Sequence, residues 1–425
     1  MIRIDKVWNF SKYGSAIEPG NLAEVQLASY NRFLQPDVDP KRRKNQGLEA
    51  ILREIFPIVS YNGNATLEYL GYELGEPRYS EEECRQLHLT YGRPLRIRCR
   101  LTHKDKKEVM EESIYIGDIP IMLGGGEFII NGTERVIVSQ LHRSPGVDFT
   151  VEFAESDRPL HGARIIPERG SWIELAVTKK ETLEIRIDQS VRFPATTFLR
   201  AMDEKFGSTE AIIRLFYPTK KVSPDEIKPE MYAVAPIIDP KSGEIIVDAG
   251  KQIGEAATTV QTACNKRIEV IDKPSDELIL NTLAEDPTDS HEKALVAIYT
   301  RLRPGSPLQA GKIDRAKTLF KEKFYDENRY RLGKVGRFRL NRKFKLNGDA
   351  STAMTLVPED MVNIVNYIFK LRAGEGAVDD IDHLGNRRLR TVDELAAVEI
   401  RKGFLKLRRT VQERISIKEP EELVR

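Results

Sequence analysis

The chain has 425 residues, 31% of them charged, yet its formal net charge is only +2. At about 150 residues per domain this length allows two or three domains, each with its own core; the near-neutral total excludes a uniformly basic coat and leaves local basic clusters open. Cys84, Cys99 and Cys264 lie far apart with no CxxC, which excludes a zinc ribbon or a disulfide framework, and no apolar run approaches the roughly 18 residues of a membrane span.

Such cysteine usage fits a reducing compartment, so a soluble cytoplasmic protein is expected, with no membrane partner. Residues 1–40 open with polar and turn residues. After the Pro19-Gly20 break, Leu22, Val25, Gln26, Leu27, Tyr30, Phe33 and Leu34 predict an amphipathic helix. Lys41-Arg42-Arg43-Lys44 reads as a solvated loop, with contact to a nucleic-acid phosphate as the alternative. Gly47 to Phe56 predicts a second helix, and strands follow. Near Leu101 the chain alternates strictly, with Leu95, Ile97, Cys99 and Leu101 on one face and Arg96, Arg98 and Arg100 on the other. That arginine row reads as a wet sheet face.

The stretch Asp118–Val147 predicts a hairpin followed by a loop. Phe128, Ile129 and Ile130 form a short apolar run, and Asn131-Gly132 supplies a two-residue turn. Val136, Ile137 and Val138 are β-branched and are expected to return as a buried strand; Ser139 to Gly146 then reads as a polar loop. Residues 148–162 are polar without a clear period, as an inter-domain crossing would be. From Ala163, ARIIPERGSWIELAV predicts two strands around a Glu168–Ser171 turn, TLEIRI from Thr182 a third, and Pro194 to Met202 a helix. A hairpin is expected at 239–243, and a helix on Ala294, Leu295, Ile298 and Leu302 ends at Pro304-Gly305. Tyr330 to Lys345 interleaves Arg and Lys with Gly and aromatics, the pattern of a surface that tracks a nucleic-acid backbone; a plain solvated surface is the alternative. Pro358 to Arg372 is a helix and Gly374 to Leu389 a loop. Thr391 and Glu394 match a capping box for a last helix striped by Ile400, Phe404, Leu407, Val411 and Ile415.

Catalytic chemistry finds little support. Asp379, Asp380 and Asp382 with His383 form the one acidic-His cluster, and a metal-dependent hydrolase built on it is one reading. Neighbouring aspartates seldom converge on one ion, and no second carboxylate motif completes a two-metal site. Gly124-Gly125-Gly126 reads as a turn rather than a phosphate cradle, and GxSxG, HExxH and GxxxxGK[ST] are absent. His142 and Ser144 lie two apart on one loop with no orienting acid nearby.

INGTERVIVSQLHRSPGV resembles the same segment of the beta subunit of bacterial DNA-directed RNA polymerase. PGNLAEVQLASYNRFL, GLEAILREIFPIVSYNGNATLEYLGYELGEP and DDIDHLGNRRLR continue the resemblance, which is densest in 47–101, 113–147, 163–200 and 283–425. It implies the N-terminal part of that subunit and an α+β fold of two mixed α/β domains. A protrusion (1–145 plus 380–425) would carry an inserted lobe (146–379), with residues near 140–150 and 375–385 side by side. It further implies partnership with beta-prime, alpha and omega subunits and sigma factor, and one side of a cleft that holds promoter and downstream DNA. The family's paired Mg²⁺ ions sit on an NADFDGD-type triad in the beta-prime subunit, and the nucleotide-holding beta lysines and arginines match nothing up to Arg425. The chain is therefore expected to be part of a nucleotidyltransferase, to be inactive alone, and to hold no catalytic residue, metal or cofactor itself.

Two sites are implied residue by residue. Val138 and Gln140 match the margin of the family's rifamycin pocket, so rifampicin is expected to bind this chain weakly or not at all. Trp172 matches an aromatic platform for an unpaired non-template base and Asp382 a guanine-edge reader, with Ile381 beside it and Arg143 and Arg387 holding the neighbourhood. The alternatives are a Trp172 that is only a strand residue at a domain seam and an Asp382 that merely pairs with Arg387. At the level of function the alternative is a free-standing nucleic-acid-binding or partner-docking module.

Overall fold

A computed structural model of the chain describes residues 21–103, 108–153, 158–240, 242–264, 266–305, 313–346 and 352–415. The Pro19-Gly20 break and the last residues, EPEELVR, lie outside them. The class is α+β, and the chain divides into two compact units, one of residues 1–142 with 389–425 and one of residues 143–388.

In the first unit, strands Ile58–Val59, Ala65–Leu74, Gly92–His103 and Glu108–Pro120 form an antiparallel sheet in that order. Alternation builds its core: Leu95, Ile97, Cys99 and Leu101 are buried while Arg96 and Arg98 face solvent. Arg100 lies across the sheet from Glu111 and pairs with it at 2.6 Å. Helices Glu24–Leu34, Gly47–Ile55 and Val392–Ile415 cover the apolar face, contributing Tyr30, Phe33, Leu48, Leu52, Val392 and Phe404 to one core. Leu22 and Val25, expected on the first helix's apolar side, are exposed: Leu22 precedes the helix, which begins at Glu24, and Val25 lies in its first turn, ahead of the buried Ser29, Tyr30, Phe33 and Leu34. At the start of the last helix the Glu394 N–H donates to Asp393 Oδ1 at 3.0 Å and the Thr391 hydroxyl bonds the same carboxylate, so Asp393 takes part in the cap expected of Thr391 and Glu394.

Two readings of this unit are corrected. Arg43 is buried rather than solvated: its Nη1 donates to Tyr72 O at 2.5 Å and its guanidinium lies 3.7 Å from the Tyr72 ring centroid. A carbonyl and a ring face together offset the desolvation of the charge, which neither water nor phosphate then needs to do. The Asn131-Gly132 turn forms as expected, with both residues at positive φ, but the return strand is Thr133–Arg135. A two-residue turn sets the register Ile130–Thr133 and Phe128–Arg135, which exhausts the three-residue partner. Val136, Ile137 and Val138 therefore fall beyond the ladder and are exposed.

In the second unit a five-stranded antiparallel sheet runs in the order Phe193–Pro194, Leu183–Ile187, Ile173–Val177, Pro159–Ile166, Gly146–Phe153. Residues 148–162, expected as a crossing, thus include parts of two paired strands. Polar side chains on the outward face mask the period, while Val147, Phe149, Ala163 and Ile165 build the core. Helices Ala195–Met202, Leu278–Glu285, His291–Leu302, Ile313–Phe324, Gly333–Phe344 and Pro358–Arg372 complete that core. A smaller cluster, on Ile227, Met231, Ile253, Val260 and Val270, surrounds the three-stranded sheet of Lys220–Val222, Ile268–Ile271 and Tyr232–Ala233. The hairpin expected near 239–243 joins Ile237–Ile238 to Ile245–Val247.

Tyr330 to Lys345 is mostly the helix Gly333–Phe344, and its basic residues divide by helical period between the interior and solvent. The three cysteines are buried and free, and burial pushes the Cys99 thiol up to about 11. Among the described residues no helix is long and apolar enough to cross a membrane.

Candidate nucleic-acid interface

Trp172, Asp382, Ile381, Arg143 and Arg387 all fall within residues 143–388. The 379–387 loop is tied to the segment 144–149: Ser144 N–H donates to Asn386 O at 3.0 Å, and Asp379 and Phe149 exchange two bonds, at 2.8 and 2.9 Å.

Trp172 sits where the Glu168–Ser171 turn enters the strand Ile173–Val177. Its N–H donates to Asp188 Oδ1 at 2.9 Å, and the Asp188 N–H donates to Trp172 O at 2.8 Å, so the backbone beneath the indole is held from both sides. The turn is held in place by Arg169 and Arg331, whose backbones exchange hydrogen bonds at 3.0 and 2.7 Å. Gly170 is required there: at φ +122° a Cβ would lie 2.8 Å from the Tyr330 ring. The indole itself is half-buried, with the Arg143 guanidinium 6.0 Å from its centroid. This is cation–π range, which steadies a ring without covering it.

The 379–387 loop is built on its own backbone. Asp380 Oδ1 accepts the Asp382 N–H at 2.9 Å, Asp380 O accepts from Asn386 Nδ2 at 2.7 Å, and His383 Nδ1 accepts the Gly385 N–H at 3.0 Å. Asp379 is committed to the Phe149 N–H and to Lys343 Nζ, the latter at 2.5 Å. The acidic-His cluster is therefore spread over separate local tasks, and no group of three or more metal-binding side chains occurs among the described residues. Asp382 itself is exposed. Among the described residues its carboxylate has no ion-pair partner, so the Asp382–Arg387 pair considered from sequence is not made. Ile381 and Arg387 beside it are half-buried.

Arg339 was not singled out from sequence, yet it joins the two halves of this region. Its Nη1 donates to Ser144 O at 3.0 Å, and its Nη2 donates to Asp148 Oδ1 at 2.8 Å and Asn386 Oδ1 at 3.1 Å. Asp148 is fully buried, and desolvation pushes its carboxyl above the ordinary range, against the pull of the Arg339 charge. The available signal was helical spacing, which sets Arg339 on a different face from Lys334 and Phe338.

A family model described as RNA polymerase beta subunit matches residues 21–425. The chain belongs to that family. It is 57% identical over 416 residues to the DNA-directed RNA polymerase subunit beta of Rhodopirellula baltica, covering 95% of this chain and 33% of that protein. The subunits beta of Protochlamydia amoebophila and Methylacidiphilum infernorum are 39% and 40% identical, each over 96% of this chain and 33% of their own length. The chain thus spans about a third of the length of the curated relatives it matches, and corresponds to the N-terminal region of the RNA polymerase beta subunit. Val138 and Gln140, the expected inhibitor-pocket margin, are both exposed, Val138 by 74%.

Proposed function

We propose that this chain forms one side of the DNA-binding cleft of a DNA-directed RNA polymerase, contacting promoter, downstream and non-template DNA. In this reading its two units are the protrusion and the inserted lobe. Within the lobe, Trp172 stacks an unpaired non-template base and Asp382 accepts hydrogen bonds from a guanine Watson–Crick edge. The observation that carries the reading is a half-exposed indole 6.0 Å from the Arg143 guanidinium, while the next residue, Ser144, is bonded through Asn386 to the loop that bears the unengaged Asp382 carboxylate. An indole stacks on any unpaired base, worth about 1–3 kcal/mol, and so supplies affinity without choosing a base. The carboxylate adds the choice, because only a base edge that presents donors satisfies it. Arg143 and Arg387 answer the phosphates or steady the two readers.

Nucleotidyl transfer is assigned to the whole assembly, with beta-prime, alpha and omega subunits and sigma factor as partners. Its Mg²⁺ chemistry is assigned to beta-prime, and no step of it is placed on this chain. The test is made in the complete enzyme: Trp172→Ala and Asp382→Ala should reduce the dependence of open-complex lifetime on the non-template base while RNA synthesis persists. Wild-type base dependence in both variants would overturn the assignment. Co-purification separates this reading from a free-standing module, since only a polymerase subunit requires beta-prime and alpha.

A further inference from the structure

The helix Gly333–Phe344 carries two populations of charge. Arg337 is buried against Asp360 at 2.7 Å, Arg339 reaches Asp148 at 2.8 Å and Lys343 reaches Asp379 at 2.5 Å, so the inward cations are consumed by the fold. Lys334, Arg342 and Lys345 are exposed, and among the described residues none makes an ion pair. Phe338 lies between them, 64% exposed, with Val335 beside it at 46%. At about 100° per residue, Lys334, Phe338 and Arg342 fall within about 80° of arc, and Lys345 follows directly after the helix. At 1.5 Å per residue, Lys334 and Arg342 stand about 12 Å apart along the axis, the length of three to four stacked nucleotides. A large exposed aromatic ring set among unbalanced cations is costly to leave facing water and complements a strand that offers both bases and phosphates.

The start of this helix is tied to the candidate base reader: the backbone bridge between Arg169 and Arg331 joins the Trp172 turn to the chain three residues before Lys334. We propose that the outer face of this helix is a second, sequence-tolerant contact for single-stranded nucleic acid. Lys334, Arg342 and Lys345 follow the phosphates and Phe338 stacks a base, extending the strand that Trp172 holds. The proposal rests on the function proposed above and adds to it a strand track outside the base-reading pocket.

The test is fluorescence anisotropy of the full 425-residue chain with a fluorescein-labelled oligo(dT) of about 20 nucleotides, titrated with salt. Replacing Lys334, Arg342 and Lys345 together by Gln should flatten the slope of log K against log[salt] by about 2, at about 0.7 per phosphate contact on a single strand. Phe338→Ala should weaken binding about 5- to 150-fold with the slope unchanged, as loss of one base–aromatic stack does. All four side chains are exposed, so thermal melts should match wild type and exclude misfolding as the cause. An unchanged slope in the triple variant, or no binding by the wild-type chain, overturns the proposal. So does competition by polyglutamate equal to that of oligo(dT) with Phe338→Ala silent, which would mark the face as a dock for an acidic protein. Asp382→Ala, measured in parallel on a guanine-containing strand and on oligo(dT), separates the two readings. Lost guanine preference beside an unchanged triple variant leaves the pocket standing and the track refuted; the reverse leaves the track standing and the pocket refuted.

Discussion

The Arg337 guanidinium lies in the interior of the second unit, held by Asp360 through two bonds of 2.7 and 3.0 Å and by the carbonyls of Ala353 and Thr355 at 2.6 Å each. Such a pair contributes little over a well-packed apolar pair, but removing one partner strands the other charge in the core. Arg337→Ala should therefore destabilise this unit by about 3–5 kcal/mol, read as a lower urea midpoint, and Arg337→Met with Asp360→Leu should recover much of the loss. A single variant within about 1 kcal/mol of wild type would contradict this account. Glu269 behaves differently with pH. Hydrogen bonds from Arg214, chiefly, and from Thr219 hold its carboxyl below the usual carboxylate range. A depressed carboxylate contributes stability that is complete above its unfolded value, about 4.3, and is lost as pH falls through the lower folded value. Glu269→Gln should flatten the fall of melting temperature below about pH 4.3; an equal fall in both proteins would refute it.

At the scale of the element, the Asn131-Gly132 hairpin shows what short-range chemistry specifies. Gly132 sits at φ +76°, and a Cβ there would lie 2.8 Å from the His88 backbone. Gly132→Ala should cost about 1–2 kcal/mol from the left-handed backbone alone and more from the clash, measured by denaturant titration. The turn was legible because Asn-Gly favours this geometry almost irrespective of context. The fate of Val136–Val138 was not, because β-branching states a preference for a strand but not whether a partner strand is long enough to reach it. Tyr330 to Lys345 was legible only in part, for a related reason. Its composition is that of a basic surface, whereas the helix period sends Arg337, Arg339 and Lys343 to buried or half-buried carboxylates contributed by distant segments.

For the whole molecule, the division into units has an unequal consequence for folding. Residues 143–388 are continuous and hold the larger core, from Val147 to Leu371. The other unit takes Val392, fully buried, and Phe404, 6% exposed, from the far end of the chain. A fragment of residues 143–388 should refold cooperatively alone, whereas one of residues 1–142 should not, having lost two core side chains worth about 1.5–3 kcal/mol each together with the helix that carries them. Circular dichroism melts of both fragments would check this; a cooperative melt from residues 1–142 alone would show that the last helix is dispensable.

By itself the sequence determined the local elements whose signals are short-ranged. These are the strand bearing Ile97 and Cys99 opposite Arg96 and Arg98, the Asn131-Gly132 turn, the helices on Ala294–Leu302 and Pro358–Arg372, and the family, read from long segments such as INGTERVIVSQLHRSPGV. Tertiary structure alone decided which charges are spent inside. Arg43 under Tyr72 O, Arg339 between Ser144 and Asn386, and Asp379 between Phe149 and Lys343 are indistinguishable by residue type from the exposed Lys334 and Asp382. The physical reason is desolvation: a charge can be buried only where a partner waits at hydrogen-bond distance, and those partners lie from 29 to 230 residues away along the chain.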